Sequence, residues 1–275
     1  MNKNKLNAMV HRVSEKTGII YNSILTYYFM EDILSMISKS NYKDKFIFKG
    51  GFLLSNIIGI SSRSTVDMDF QLRNEKLSMD NIQNMFSEIL KSENSEIYYS
   101  IDSIKPIIEQ DLYGGFRVNI IAKFENLREF IPIDIATGDK ITPNPINYEY
   151  ESIFYNDKIS IKAYTLETMI AEKLQTIYSK GFLNTRSKDY FDLYLIWNIK
   201  KELINKDILQ TALLNTFSYR NTEFDINKIS TLISQLENPM FINRWESYRT
   251  KNNFVGKLRF KEVLESILQL INFIK

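Results

Sequence analysis

Cysteine is absent from this 275-residue sequence, and histidine occurs once, at His11. The first absence excludes disulfides, thiolate metal sites and cysteine nucleophiles. Together the two exclude a zinc centre and a histidine-based triad. His11 itself, near the N-terminus, is expected at the surface. Proline (5) and glycine (9) are scarce, which describes an ordered globular chain rather than a disordered one. No uninterrupted apolar run approaches the roughly 18 residues that would mark a membrane span. The opening segment MNKNKLNAMVHRVSEKTG lacks the apolar stretch of a secretion signal, so the expected location is cytoplasmic. A dominant charge is missing too. The formal net charge is +2, and bulk electrostatics make no case for nucleic acid.

What the chain has in quantity is aromatic side chains, 18 Phe and 16 Tyr, and enough length to bury a sizeable core. Residues 5–40 carry helical spacing through Ile24, Leu25, Tyr28, Phe29, Ile33, Leu34 and Ile37. Residues 46–48 read as a short strand, 52–58 as a helix, 66–72 as a strand and 79–91 as a helix. Further strands are expected over 96–108, 116–124, 129–136 and 158–163, with a hairpin turn at 111–115 joining the first two. The segment 138–151, containing Pro143 and Pro145, reads as the longest irregular piece. After Thr165, whose hydroxyl suits an N-cap, only helical periods remain, over 165–180, 186–200, 203–217, 225–236 and 257–273. This order predicts an α+β fold: a mixed-sheet domain with N-terminal helices over 1–164, then an α-helical bundle over 165–275.

The segment FKGGFLLSNIIGISSRSTVDMDF, residues 48–70, concentrates the chemistry. Asp67 and Asp69 alternate with Val66, Met68 and Phe70, and residues two apart on a strand share a face. Both carboxylates therefore point one way, and the three apolar residues are expected in a core. Two acids on one face are costly unless a cation sits between them. Upstream, Gly50 and Gly51 follow an apolar run and make a turn where backbone N–H groups can approach a phosphate. The combination reads as a site for Mg²⁺ and a nucleoside triphosphate. An Asp-x-Asp on a strand is common by itself, but a third carboxylate fits the same site. Asp134 stands alone opposite Ile131, Ile133 and Ile135 on an expected central strand. Three such acids can hold two Mg²⁺ ions, with Asp67 and Asp69 bridging them and Asp134 as general base or second-metal ligand.

Lys49-Gly50-Gly51 followed by Arg63-Ser64-Thr65-Val66-Asp67-Met68-Asp69-Phe70 resembles the signature of DNA polymerase β-like nucleotidyltransferases, and within them the AbiEii/AbiGii toxin family. Two later motifs of that family also stand here, Ala171-Glu172-Lys173 and Arg186-Ser187-Lys188-Asp189-Tyr190-Phe191-Asp192-Leu193. Order and spacing match over residues 48–193. The resemblance implies a polymerase β-like domain with Asp67, Asp69, Asp134 and Lys173 as catalytic residues and the three aspartates as metal ligands. It implies nucleotide binding by Lys49, Gly50, Gly51, Arg63, Ser64, Thr65, Arg186, Asp189 and Asp192. One departure is that Gly51 stands where a phosphate-assisting serine is often found. Its task would fall to backbone N–H groups, or to Ser55 or Ser64.

The helical motifs have a physical reading of their own. Lys173 facing a cleft would neutralise triphosphate charge and stabilise the pyrophosphate leaving group. Asp189 and Asp192 lie i, i+3 on one helix face, placed to orient Lys173 or to contact the nucleotide. Spacing alone fits a surface helix with solvated ion pairs at least as well. Further on, Arg244-Trp245-Glu246-Ser247-Tyr248-Arg249-Thr250-Lys251, with Lys257, Arg259 and Lys261 beyond, interleaves bases with aromatics. That pattern suits RNA contact, but more often marks a helix edge with a packed tryptophan.

The resemblance implies a toxin of a type IV toxin–antitoxin system. Such a protein transfers NMP from an NTP to an acceptor hydroxyl, here with the tRNA 3′ end as the preferred acceptor, and is encoded beside a cognate antitoxin. Two other readings compete: a nucleotidyltransferase acting on a small molecule or protein side chain, and a non-catalytic nucleotide-binding module.

Overall fold

The computed structural model describes residues 2–91, 96–107, 114–138 and 140–275. The chain divides into two compact units, Met1–Gly138 with Ile146–Ala163, and Asp139–Pro145 with Tyr164–Lys275. No helix among the described residues is long and apolar enough to cross a membrane.

The first unit begins with α1 (Lys3–Thr17) and α2 (Tyr21–Lys39) and continues through β1 (Phe46–Lys49), α3 (Gly50–Ile58), β2 (Met68–Leu72) and α4 (Met79–Ile89). It ends with β3 (Tyr98–Ile107), β4 (Gly115–Phe124), β5 (Leu127–Ala136), β6 (Ile146–Glu151) and β7 (Lys158–Ala163). The seven strands form one mixed sheet in the order β3-β4-β5-β2-β1-β7-β6. The β2–β5 and β1–β7 pairs are parallel and the others antiparallel.

Aromatic side chains fix one face of the sheet's centre. Phe46, Phe48 and Phe70 are fully buried and meet Phe86 of α4 and Phe52 of α3 at ring separations of 5.5–5.7 Å. Tyr27 of α2 closes on Phe52 edge-on. Burying each such ring contributes about 1.5–3 kcal/mol, and that fixes the strand register. A slip by one residue would send these rings to the opposite face.

Several expectations need correction. β2 begins at Met68, so Asp67 precedes the strand, and Val66 is 42% exposed rather than in the core. The supposedly irregular segment 138–151 contains edge strand β6, in which Ile146, Tyr148 and Tyr150 alternate with Asn147, Glu149 and Glu151. Its period of two is genuine, but the preceding prolines masked it. The hairpin turn expected at 111–115 lies, apart from Gly114 and Gly115, outside the described residues. The strands it was to join are paired antiparallel.

The second unit is helical: α5 (Leu166–Lys180), α6 (Ser187–Lys200), α7 (Lys206–Tyr219), α8 (Ile226–Gln235), α9 (Pro239–Lys251) and α10 (Phe260–Ile274). Thr165 caps α5 by accepting from the Thr168 amide at 3.1 Å, and its own hydroxyl donates to the Thr142 carbonyl at 2.9 Å. That bond ties segment 139–145 to this unit. The helix α9 carries no expected counterpart, because only Phe241 and Trp245 of its residues are buried. Two apolar anchors one turn apart leave little periodic signal.

Candidate active site

The register of the sheet assembles the site in the first unit. Lys49 on β1 opposes Asp69 on β2, Asp69 lies beside Asp134 on β5, and Asp134 opposes Arg117 on β4. Register partners share a face. Four adjacent strands thus carry a transverse row of cation, carboxylate, carboxylate and cation. The neighbouring rows, Phe48–Phe70–Ile135 and Met68–Ile133–Val118, are buried. The alternation that hides the hydrophobic residues therefore delivers the charged ones to the other face.

Asp134 is not alone on that face. Arg117 grips it bidentately, with Nε and Nη2 each 2.7 Å from a carboxylate oxygen. The hydrogen bonds that Arg117 donates to Asp134 hold the guanidinium's pKa above its ordinary value, against the opposing effect of desolvation, with the charges of Asp134, Asp67 and Asp69 adding to the rise. Sequence reasoning missed Arg117. The signal was available only as its pairing with Asp134 across β4 and β5.

Gly50 and Gly51 do different work. Gly50 takes φ +75°, and a Cβ built there would overlap the Asp69 carboxylate. Glycine is thus required twice over, by the backbone and by the approach of a functional side chain. A Cβ at Gly51 would press on the Arg63 guanidinium at 3.0 Å and the Thr65 hydroxyl at 3.3 Å. The space where relatives of the signature place a serine side chain is already taken by Arg63 and Thr65. Lys49, the N-cap of α3, makes no side-chain cap bond.

Residues 63–67 are held against α3 by a buried relay. The Thr65 amide donates to the Tyr27 phenol at 3.0 Å, the phenol donates to Ser55 Oγ at 3.0 Å, and Ser55 donates to the Gly51 carbonyl at 2.7 Å. Burial raises the Tyr27 pKa, which keeps the phenol a donor. Ser55 is 1% exposed with its hydroxyl committed, so it does not replace the missing serine. Arg63 is buried and donates to the Ser64 carbonyl. Ser64, Thr65, Asp67, Asp69 and Asp134 are partly exposed.

The remaining candidates form a second cluster, in the helical unit. Lys173 on α5 donates to Asp189 at 3.1 Å and to Asp192 at 2.6 Å, both on α6, and Arg186 Nε reaches Asp189 at 2.8 Å. Asp189 and Asp192 are 3% and 2% exposed, so the reading of solvated surface pairs is wrong. Burial depresses the Lys173 pKa, but Asp192 and Asp189 outweigh it and the net shift is upward. Burial likewise raises Asp189, yet Lys173 and Arg186 outweigh it and hold the carboxyl below its ordinary range. Asp189 and Asp192 thus orient Lys173, one of the two roles expected of them. His11 is exposed, as expected. Trp245 is fully buried, with its indole N–H donating to the Leu258 carbonyl at 2.9 Å, and is a core residue.

The donor set suits Mg²⁺, since carboxylate oxygens are the ligands a hard cation prefers. Among the described residues no three acidic or histidine side chains converge on a point. Both oxygens of Asp134 already accept a hydrogen bond from Arg117. The residues that fit the ion are Asp67 and Asp69.

A family model described as nucleotidyl transferase AbiEii toxin, type IV TA system, matches residues 32–266. The chain belongs to the AbiEii nucleotidyl transferase toxin family. Two solved Helicobacter pylori structures share its fold. One, a candidate nucleotidyltransferase, has a TM-score of 0.56 at 14% identity over 93% of this chain and 96% of that chain. The other, JHP933, has a TM-score of 0.54 at 14% identity over 92% of this chain and 91% of that chain. Comparison with curated proteins returns no match. In this AbiEii nucleotidyltransferase the row across β1, β2, β5 and β4 contains two of the three carboxylates, Asp69 and Asp134, and Arg117 extends it, while Asp67 lies just before β2.

Proposed function

We propose that this AbiEii family member is a Mg²⁺-dependent toxin that transfers NMP from an NTP to an RNA hydroxyl, with the tRNA 3′ end as acceptor. The observation that carries the reading is the register match of Asp69 with Asp134 beside Gly50, whose missing side chain makes room for the Asp69 carboxylate. Asp67 and Asp69 would hold the ion, which when bound supplies positive charge against the triphosphate. The uncapped first turn of α3 presents backbone N–H groups suited to phosphate oxygens. The Arg117 guanidinium holds Asp134, and each carboxylate oxygen keeps a further lone pair. Asp134 takes the proton of the acceptor hydroxyl as its oxygen bonds the α-phosphorus. The bond from that phosphorus to the leaving oxygen breaks, and pyrophosphate departs. Arg117 remains charged throughout and fixes the orientation of the Asp134 carboxylate through its two hydrogen bonds. A cognate antitoxin encoded nearby is the partner expected of a type IV toxin.

The test is transfer of label from each of the four α-³²P NTPs to total tRNA with Mg²⁺, wild type beside Asp67→Ala. Label on tRNA from the wild type alone, with loss of growth arrest in Asp67→Ala, is expected. Nucleotide binding without labelled tRNA would move the acceptor to a protein or small molecule. Unaltered toxicity of Asp67→Ala would refute the catalytic reading.

A further inference from the structure

The helical unit contains an open groove of about 580 Å³ between the N-terminal turn of α6 and one face of α9. Four bases line it, Arg186, Lys188, Arg244 and Lys251, and none of its lining residues is acidic. Arg186 is paired with Asp189 at 2.8 Å, but the charge of the other three is not cancelled locally. Among the described residues Lys188, Arg244 and Lys251 take part in no ion pair. Arg244 donates to the carbonyls of Phe182 at 3.2 Å and Asn184 at 3.0 Å, and its guanidinium lies over the Phe241 ring. Arg249, on the same helix, shows the contrast: it is paired with Glu246 at 2.5 Å and does not line the groove.

The groove's length and chemistry favour a chain of phosphates over one compact anion. Arg244 and Lys251 are separated by about 10 Å along α9 at the helical rise. Between them Tyr248 lines the groove, its ring packed against Trp245 and Phe191 at 5.7 and 6.1 Å. A ring fixed in this way is a surface on which a base can stack. Thr185, Ser187, Asn243 and Ser247 add hydroxyl and amide groups along the walls, the kind of partner a ribose 2′-hydroxyl requires. The sequence signal of bases interleaved with aromatics thus resolves into two parts. Trp245 belongs to the core, while Arg244, Tyr248 and Lys251 face the groove.

We propose that this groove binds the phosphodiester backbone of an RNA strand. The inference deepens the proposed function by assigning residues to its acceptor, but binding does not require transfer. The test measures binding of the full chain to a short fluorescein-labelled single-stranded RNA by anisotropy across a salt series, and Mg–ATP binding in parallel. The double variant Lys188→Glu/Lys251→Glu is compared with wild type and with Lys43→Glu/Lys123→Glu, exposed lysines of the other unit. Reversal in the groove should weaken RNA binding about tenfold or more and reduce the slope of log K against log salt by about 1.4. The control should bind as wild type, and Mg–ATP affinity should hold in all three. Lys188→Gln/Lys251→Gln should reproduce a smaller loss in the same direction, which misfolding of the reversal variant would not explain. Unchanged RNA affinity and slope in the reversal variant would overturn the proposal. So would equal competition by the matched DNA oligonucleotide, or weakened Mg–ATP binding with inorganic triphosphate as an effective competitor. The latter result would place the nucleotide's own phosphates in the groove. Groove-dependent RNA binding by a protein that transfers no nucleotide would leave this inference standing and remove the transferase reading.

Discussion

Glu31 gives the sharpest test of the energetics of the first unit. It lies on α2, 5% exposed, and its carboxylate accepts from the Tyr150 phenol at 2.8 Å, Ser152 Oγ at 2.5 Å and the Ile153 amide at 2.9 Å. Burial raises its pKa, the three hydrogen bonds pull it down, and burial wins, pushing it up to about 7. The folded protein therefore holds a proton here that the unfolded chain, with an ordinary glutamate near 4.3, has already released. Where the native state binds more protons, stability falls as pH rises. This contribution is fully present below the unfolded pKa and is lost through the folded value near 7. Between pH 5 and 8 the loss amounts to about 2.5 kcal/mol. Asp32, also raised by burial, acts in the same direction. Glu31→Gln keeps an acceptor oxygen for Tyr150 and Ile153, places an amide N–H₂ that can donate to Ser152 Oγ, and removes the titration. Urea unfolding of both proteins at several pH values isolates the effect as the difference between their profiles. Far-UV circular dichroism is the probe, since both tryptophans lie in the helical unit. A wild-type profile parallel to that of Glu31→Gln would refute the argument that burial dominates three hydrogen bonds.

Gly50→Ala should lower stability by about 2–4 kcal/mol, from the positive φ and from overlap with Asp69, and should abolish transfer. Gly18→Ala, also at positive φ but with open space around it, should cost about 1–2 kcal/mol and leave transfer intact, as paired urea melts and activity assays would show. Asp192→Ala leaves Lys173 buried beside one fewer carboxylate, and should destabilise by about 3–5 kcal/mol in thermal melts. The depressed Asp189 stabilises the helical unit above its unfolded pKa near 3.9. That stabilisation is lost as pH falls through the lower folded value, so acid titration followed by tryptophan fluorescence should show the helical unit yielding below about pH 4. Arg117→Gln should lower kcat about 10²-fold by loosening the position of Asp134 without raising the Mg²⁺ requirement. A raised Mg²⁺ requirement would assign the row a different division of labour.

Much of the architecture was legible because its signals are local. Met68 and Phe70 alternate with Asp69, Ile131, Ile133 and Ile135 alternate with Asp134, and the helix stripes carry the 3.6 period. Local pattern also placed Gly50 beside the carboxylates' strand. What stayed hidden depends on partners distant in sequence. Nothing around residue 117 announces that Arg117 will face Asp134, because the β4–β5 register makes that pair. The relay from Thr65 through Tyr27 and Ser55 to Gly51 likewise joins a helix, a second helix and a loop. Burial was equally non-local. Asp189 and Asp192 have the spacing of surface residues, and only packing of α5 on α6 encloses them with Lys173.

The charge row explains how a sheet tolerates two adjacent carboxylates while it folds. Asp69 and Asp134 sit side by side on parallel strands, where like charges directly opposed are destabilising. The outer positions of the same row are Lys49 and Arg117, so the row sums to no net charge without any added ion. Arg117 compensates Asp134 directly, through two 2.7 Å hydrogen bonds. Asp67, displaced from the strand at its open end, avoids adding a third carboxylate to the row. The arrangement keeps Asp67 and Asp69 partly exposed and does not consume them in structural pairing with Arg117. The acids are thus divided, with Asp134 held by Arg117 and Asp67 and Asp69 left partly exposed, and the sheet folds without relying on an ion to offset the row.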